Sequence, residues 1–269
     1  MELAQRTEQL GYSTLWYPEV LGYESFGLGG FLLAHTKNLI IASGIANIYA
    51  RDATATKQGQ HSLAKLYGGR FLLGLGVSHV PLVEEARGHQ YQQPVPTMRA
   101  YLERLDKAVS IAPPLDEPPP TVLAALGPRM TALAGARTAR VFPYNVTSEH
   151  TAQSRAIIGP EKWLCVVQKV LLLIDPAKAR NLLRQAMAFY LPLTNYRTNW
   201  LRLGFSDEDL VNGGSDRFLD AMVAWGNEAA IRQRIQAQFD AGASHVCIQP
   251  LHPDGQSLPD LDALAALAS

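Results

Sequence analysis

The stretch Gly68-Gly69-Arg70-Phe71-Leu72-Leu73-Gly74-Leu75-Gly76-Val77-Ser78-His79 decides how the rest of this chain is read. Phe71 to Leu75 form a short apolar run with glycine on both sides, which suits a strand buried on both faces rather than a half-exposed, alternating one. Two glycines, a hydroxyl and an imidazole follow at its carboxyl end. Backbone without side chains lets a ligand approach closely there, while His79 reaches into the same space. Taken alone, a Gly-x-Gly pair more often marks tight packing, so the neighbouring segments have to decide.

Working outward, apolar runs at residues 14–17, 39–42, 122–126, 139–142, 166–174 and 245–249 join 71–75 to make seven strands. Helical patterns separate them. Residues 2–10 place Leu3, Thr7 and Leu10 on one face ahead of Gly11, and Asp52, Asp175 and Asn227 stand as amino-terminal caps. The segment from about Glu84 to Pro96 is a polar excursion with the character of a lid, followed by a helix marked by Met98, Leu102, Leu105 and Val109. Residues 192–226 read as a helical insertion containing no strand. Strands that alternate with helices are parallel and joined by crossovers, which leaves a doubly wound sheet or a (β/α)8 barrel. The doubly wound dinucleotide fold is the weaker match, because Gly74-x-Gly76 lacks the third glycine and no acidic residue follows at a ribose position.

Composition bounds the function. At 269 residues and 47% hydrophobic, the chain has enough apolar material for a single domain spanning 1–269. Lys and Arg number 24, as do Asp and Glu, and no basic run appears, so nucleic acid and anionic membrane are not expected partners. Cys165 and Cys247 lie inside apolar runs and read as core thiols, which fits a reducing cytoplasm. No apolar run approaches the ~18 residues of a membrane span. The histidines other than His79 show no metal-ligand spacing, so no metal site is expected. Ser43, Gly44, Ser78 and the amides of Gly127 to Met130 are candidate ring or phosphate contacts, since hydroxyls and a helix amino end take up an anion without a basic patch. Trp16, Tyr17 and Tyr49 can wall a pocket, and Glu19 reads as a solvated or structural loop carboxylate.

A resemblance adds to this. Leu15-Trp16-Tyr17-Pro18-Glu19, Ala42-Ser43-Gly44-Ile45-Ala46, Arg51-Asp52, Gly69 to Gly76 and Ala241-Gly242-Ala243 together resemble the bacterial luciferase-like superfamily. Through Ala124 to Met130 and Leu193-Thr194-Asn195-Tyr196 the chain is similar to its coenzyme F420-dependent oxidoreductases. The resemblance implies a TIM (β/α)8-type barrel and a deazaflavin, coenzyme F420, that exchanges a hydride with a small-molecule substrate at C5; a homodimer is compatible with it. It implies His79 as the catalytic group, standing where some deazaflavin enzymes have an acidic proton donor. The cofactor-binding residues it implies are Ser43, Gly44, Ile45, Gly76, Val77, Ser78, Gly127, Pro128 and Arg129. It also implies a bulge with a cis peptide at Gly44-Ile45. FMN is the alternative cofactor, as in a luciferase-like monooxygenase, and a ligand-binding barrel without turnover is the other class. Three departures stand out: the chain reads as lacking the barrel's first strand, Arg140 replaces a glycine near the cofactor rim, and Pro18-Glu19 follows the strand after which some relatives carry an acid-histidine pair.

Overall fold

The structure is a computed structural model that describes residues 1–109 and 111–268. Its elements alternate: α1 (Glu2–Gln9), β1 (Thr14–Pro18), α2 (Ser25–Ala34), β2 (Ile40–Asn47), α3 (Ala53–Leu66), β3 (Phe71–Gly76), α4 (Val80–Glu84), α5 (Pro94–Lys107), β4 (Thr121–Ala124), α6 (Pro128–Arg137) and β5 (Arg140–Phe142). There follow α7 (Ser148–Ile158), β6 (Trp163–Leu172), α8 (Pro176–Ala188), α9 (Thr194–Arg202), α10 (Asp216–Met222), β7 (Val223–Gly226), α11 (Glu228–Asp240), β8 (His245–Pro250) and α12 (Leu261–Leu267). The chain forms two compact units, one of residues 1–125 and 132–142, the other of residues 126–131 and 143–269.

In the first unit β1 to β5 pair in chain order, every pair parallel. β3 is buried at all six positions, as its continuous apolar run requires. The helices lie on the strands where glycine permits it. A Cβ at Gly29 of α2 would stand 2.8 Å from the Tyr17 hydroxyl and 2.9 Å from the Phe71 ring, so a larger residue would push α2 off β1 and β3. Tyr17, turned toward that layer, donates to the Ser25 carbonyl at 2.5 Å. Asp52 caps α3 through the Ala55 amide at 2.8 Å.

The second unit pairs β6 with β7 on one side and with β8 on the other, again parallel. Its core gathers Leu171, Leu183, Met187, Trp200, Phe218 and Met222. Asp175 caps α8 and Asn227 caps α11, as their positions before helical runs predict.

Four expectations need correcting. The strands number eight among the described residues, because β7 lies inside the span read as helical. Met222 ends α10 and Val223 begins β7 with no breaker between them, and the apolar Val223-Ala224-Trp225 continues the helical pattern of Phe218, Leu219 and Met222. The Gly44-Ile45 bond is trans, as are all the described peptide bonds. The expected bulge is present: between Ser43 and Ala46, β2 takes three steps while β3 takes two, from Leu73 to Leu75. The extra residue fits with trans geometry because Gly74 offers no side chain; a Cβ there would sit 1.9 Å from the Ser43 carbonyl oxygen. A short helix, α4, absent from the sequence reading, stands ahead of the polar excursion, and Val109 is exposed beyond the end of α5 instead of lying on its buried face. α1 does open the chain, and no strand precedes it among the described residues.

Candidate functional site

Parallel strands in register deliver their carboxyl ends to one edge, and in the first unit that edge collects Glu19, Asn47, Gly76 to His79 and Ala124. Ser43 is fully buried, and its hydroxyl donates to the Gly74 carbonyl at 3.2 Å while accepting the Gly74 amide at 3.0 Å. That hydroxyl therefore ties the bulge to β3. Gly44 lies against Phe142, where a Cβ would approach the ring to 2.8 Å, and Phe142 stacks on Trp16 with centroids 4.4 Å apart. Half-buried Ile45 lies beside Gly76, whose own Cβ would be 3.3 Å from Ile45 and 3.7 Å from Ala124. The glycines thus let Phe142, Ile45 and Ala124 pack closely against the strand ends beside the Trp16–Phe142 stack.

Beyond Gly76 the backbone turns. Ser78 holds φ at +59°, a left-handed conformation that a serine adopts only when its surroundings enforce it. His79 follows, half-buried, in the cap position of α4, and its carbonyl accepts the Val83 amide at 3.0 Å. The loop after α4 folds back over this edge. The Tyr91 hydroxyl reaches the Ser78 carbonyl at 3.5 Å, and Tyr91 stacks on Tyr49 with centroids 6.0 Å apart. Burial, with the Tyr49 phenol beside it, pushes the Tyr91 phenol up to about 12, so it stays protonated at neutral pH.

Glu19 is buried rather than solvated. Burial alone would raise its pKa, but the Arg51 guanidinium bonds both carboxylate oxygens and the Asn47 amide donates at 2.8 Å, so the net direction is down. Arg51 also pairs with Glu24 at 2.8 Å and lies over the Phe26 ring. Glu19 is thus held ionised as a structural brace. The other charge-bearing side chain at the strand ends that sequence alone brought into view is His79, half-buried in the cap position of α4. Two clefts adjoin the edge, one of about 430 Å3 lined in part by Tyr49, Arg51, His89 and Arg104, the other of about 510 Å3 lined in part by Glu19, Tyr23, Arg51 and Arg87. Neither is lined by Gly44, Gly76 or His79.

The structure therefore brings Ser43, Gly44, Ile45, Gly76, Val77, Ser78 and His79 together. Gly127, Pro128 and Arg129 belong to the second unit, at the amino end of α6. There the Gly127 carbonyl accepts the Met130 amide and the Thr131 hydroxyl, and a Cβ at Gly127 would lie 3.6 Å from the Arg202 guanidinium. His150 lies 2.7 Å from the Leu126 carbonyl through Nε2. Burial lowers its pKa and Arg202 adds to that, against the raising effect of the Leu126 carbonyl.

Sequence reasoning missed Arg51 as the partner of Glu19, since 32 residues separate them. In the second unit it missed Lys169, although a lone lysine inside Val166-Val167-Gln168-Lys169-Val170-Leu171 is a visible irregularity in a buried strand. Among the described residues no helix is long and apolar enough to cross a membrane, and no group of three His, Cys, Asp or Glu could hold a metal ion.

Residues 1–245 match the family described as luciferase-like monooxygenase. Over 102 residues the chain is 28% identical to a Mycobacterium tuberculosis protein whose name proposes a coenzyme F420-dependent oxidoreductase; the match covers 38% of this chain and 29% of that relative's length. In structure the chain is similar to the coenzyme F420-dependent tetrahydromethanopterin reductase of Methanopyrus kandleri, with a TM-score of 0.78 at 17% identity over 99% of this chain and 93% of that one. It is also similar to the oxygenating constituent of 3,6-diketocamphane monooxygenase of Pseudomonas putida, solved with FMN, with a TM-score of 0.74 at 13% identity over 99% and 90%. These likenesses show the fold, a parallel α/β arrangement of the TIM (β/α)8 type.

Proposed function

The chain belongs to the luciferase-like monooxygenase family, and from that premise we propose that it is a coenzyme F420-dependent oxidoreductase acting on a small organic substrate. The observation that supports a flat-ring cofactor is the gathering of Ser43 to Ile45 and Gly76 to His79 at one strand-end edge in a chain whose residues 1–245 match this family. The relative from Mycobacterium tuberculosis supports the deazaflavin over the flavin. When bound, the deazaflavin supplies a hydride donor or acceptor at C5.

The residues of the chain then have distinct tasks. Ile45, Gly76 and Val77 support one ring face, and Gly44, kept in place by the bond of Ser43 to Gly74, sets how closely that face approaches. Ser78 in its left-handed conformation aims His79, which we assign as the proton donor and acceptor, because imidazole titrates near neutrality. The loop carrying Tyr91 excludes water from the same edge. Gly127, Pro128 and Arg129 form a separate assignment, to an anionic group at a helix amino end.

The test is a fluorescence titration of the purified protein with F420 and FMN side by side. Saturable F420 binding, tighter than that of FMN, is the expected result, and binding of FMN alone would overturn the assignment in favour of the flavin reading that the 3,6-diketocamphane enzyme supports. For His79→Ala we expect turnover to fall by about 10²-fold or more with F420 affinity largely intact. Equal rates for variant and parent at saturating coenzyme, with chemistry limiting, would remove the catalytic role.

A further inference from the structure

Lys169 points from β6 into the second unit, and 4% of its surface is exposed. A buried lysine ordinarily has a carboxylate beside it. This one has none: among the described residues no Asp or Glu forms an ion pair with it. Its Nζ donates to the Asn145 side-chain oxygen and stands over the ring faces of Tyr144, at 3.8 Å, and Tyr190, at 5.0 Å. Three N–H bonds thus meet one conventional acceptor and two π faces.

The surroundings are unusual in a second, independent way. The Nδ2 of Asn145, on the same amide that accepts from Lys169, is buried with no hydrogen-bond partner, and so is the Nδ2 of Asn199 on α9. Asn145 is also held at φ +56°, and its carbonyl is fixed by the Trp200 indole at 3.0 Å. The amide is therefore fixed in place with one donor unanswered beside an ammonium. Leaving such a donor unanswered in a folded interior costs as much as losing a hydrogen bond, so it calls for a partner of matching chemistry. Around it Tyr144 is held by Gln249 of β8 at 2.9 Å and by the Tyr190 hydroxyl at 3.2 Å, and Tyr196 packs edge-on against both rings.

We infer that Lys169 and the Asn145 amide form a binding site for a small organic monocarboxylate, flanked by the faces of Tyr144 and Tyr190. One carboxylate oxygen takes an ammonium N–H and the other takes Asn145 Nδ2, so one negative charge balances one positive charge. A neutral carbonyl would answer the amide and leave the lysine charge unbalanced. A phosphate dianion would bring a second charge into an aromatic surround that has no second cation. The apolar part of the ligand lies against the tyrosine rings, of which Tyr190 is half-buried and next to exposed Phe189. This inference does not depend on which coenzyme the protein uses.

Burial also lowers the pKa of Lys169 well below the lysine range. Among the described residues the titratable groups packed around it are the phenols of Tyr144, Tyr190 and Tyr196, all pushed upward by burial and hence neutral, and from β8 the uncharged Gln249 bonds Tyr144. A bound carboxylate favours the protonated amine, so affinity falls as pH rises through the depressed lysine pKa.

The test is isothermal titration of the intact protein with acetate, benzoate and inorganic phosphate between about pH 6 and pH 10. The expected result is saturable binding of at least one of the two carboxylates, weakening at high pH, with inorganic phosphate weaker. Lys169→Met should weaken that binding by about 30-fold or more. Asn145→Gly, which keeps the left-handed backbone while deleting the amide, carries the same test if the methionine variant does not fold. Absence of carboxylate binding at millimolar concentration, equal binding by both variants, or phosphate binding as tightly as the carboxylates would each overturn the assignment. A lysine with only a structural role would change unfolding in these variants and leave no carboxylate binding to lose.

Discussion

Replacing Arg51 with methionine strands a buried charge, and the size of the loss can be worked out. The Glu19 side chain is 4% exposed and that of Arg51 11%, so the partner removed is one that solvent cannot replace. What remains for the Glu19 carboxylate is mainly the Asn47 amide at 2.8 Å. Breaking a buried pair from one side costs about 3–5 kcal/mol. Glu19 can relieve part of this by taking up a proton, and from an ordinary pKa of ~4.3 that costs at most about 3.7 kcal/mol at pH 7. The expected loss is therefore about 3 kcal/mol near neutrality. In the parent the Glu19 pKa is lowered, so its contribution is present above the ordinary carboxylate pKa and is lost as pH falls through the folded value. In the variant burial acts unopposed by Arg51 and raises it, so stability is lost as pH rises above ~4.3. Urea unfolding followed by circular dichroism at about pH 4 and pH 7 should show the gap between parent and variant widening with pH. Adding Glu19→Gln to Arg51→Met should recover most of the loss, because the stranded charge is gone. An equal deficit at both pH values, or no recovery in the double variant, would refute the reasoning.

Two substitutions test the bulge between β2 and β3. Gly74→Ala would place a Cβ 1.9 Å from the Ser43 carbonyl oxygen, a backbone atom that cannot step aside, so a loss above about 4 kcal/mol or failure to accumulate soluble protein is expected. Gly44→Ala meets the edge of the Phe142 ring at 2.8 Å, which can rotate at the expense of its stack on Trp16; about 1–3 kcal/mol and an altered near-ultraviolet dichroism of Trp16 should follow.

The strands were legible in the sequence where burial on both faces leaves an unbroken apolar run, as at Phe71–Leu75 and in most of Trp163–Leu172. Caps were legible because Asp52, Asp175 and Asn227 answer local amides two or three residues on. β7 was hidden because nothing in Met222-Val223 marks the change from helix to strand, and the backbone alone makes it. Of the candidate site, Ser43 to Ile45 and Gly76 to His79 could be read as ligand-approaching backbone, since glycine and hydroxyl residues cluster at strand ends. What could not be read was which polar atoms answer one another. That the Ser43 hydroxyl bonds the Gly74 backbone, that Arg51 reaches Glu19, and that Lys169 finds no carboxylate are all matters of pairing across separate elements.

The two buried cations make opposite predictions for the same replacement. Arg51→Met removes the counter-charge of Glu19, whereas Lys169→Met removes a charge that has no counter-charge to strand. In the unfolded chain a lysine titrates near ~10.4, while burial lowers its folded value, so the folded state binds fewer protons and Lys169 costs stability at neutral pH. That cost grows as pH falls below the unfolded value and levels off below the folded one. The amine can lose its proton for at most about 4.6 kcal/mol at pH 7, which sets a ceiling on the penalty. Against it stand the lost bond to Asn145 Oδ1 and the contacts with the Tyr144 and Tyr190 rings, together about 1–3 kcal/mol. Methionine fills nearly the same volume without a charge, so a net gain of about 1–3 kcal/mol at pH 7 is expected, shrinking toward zero or reversing as pH approaches ~10. Guanidinium unfolding of parent and Lys169→Met across that range measures the difference directly. A variant less stable than the parent at pH 7, or a difference that does not change with pH, would mean that Lys169 is solvated or paired in solution and would refute the reasoning.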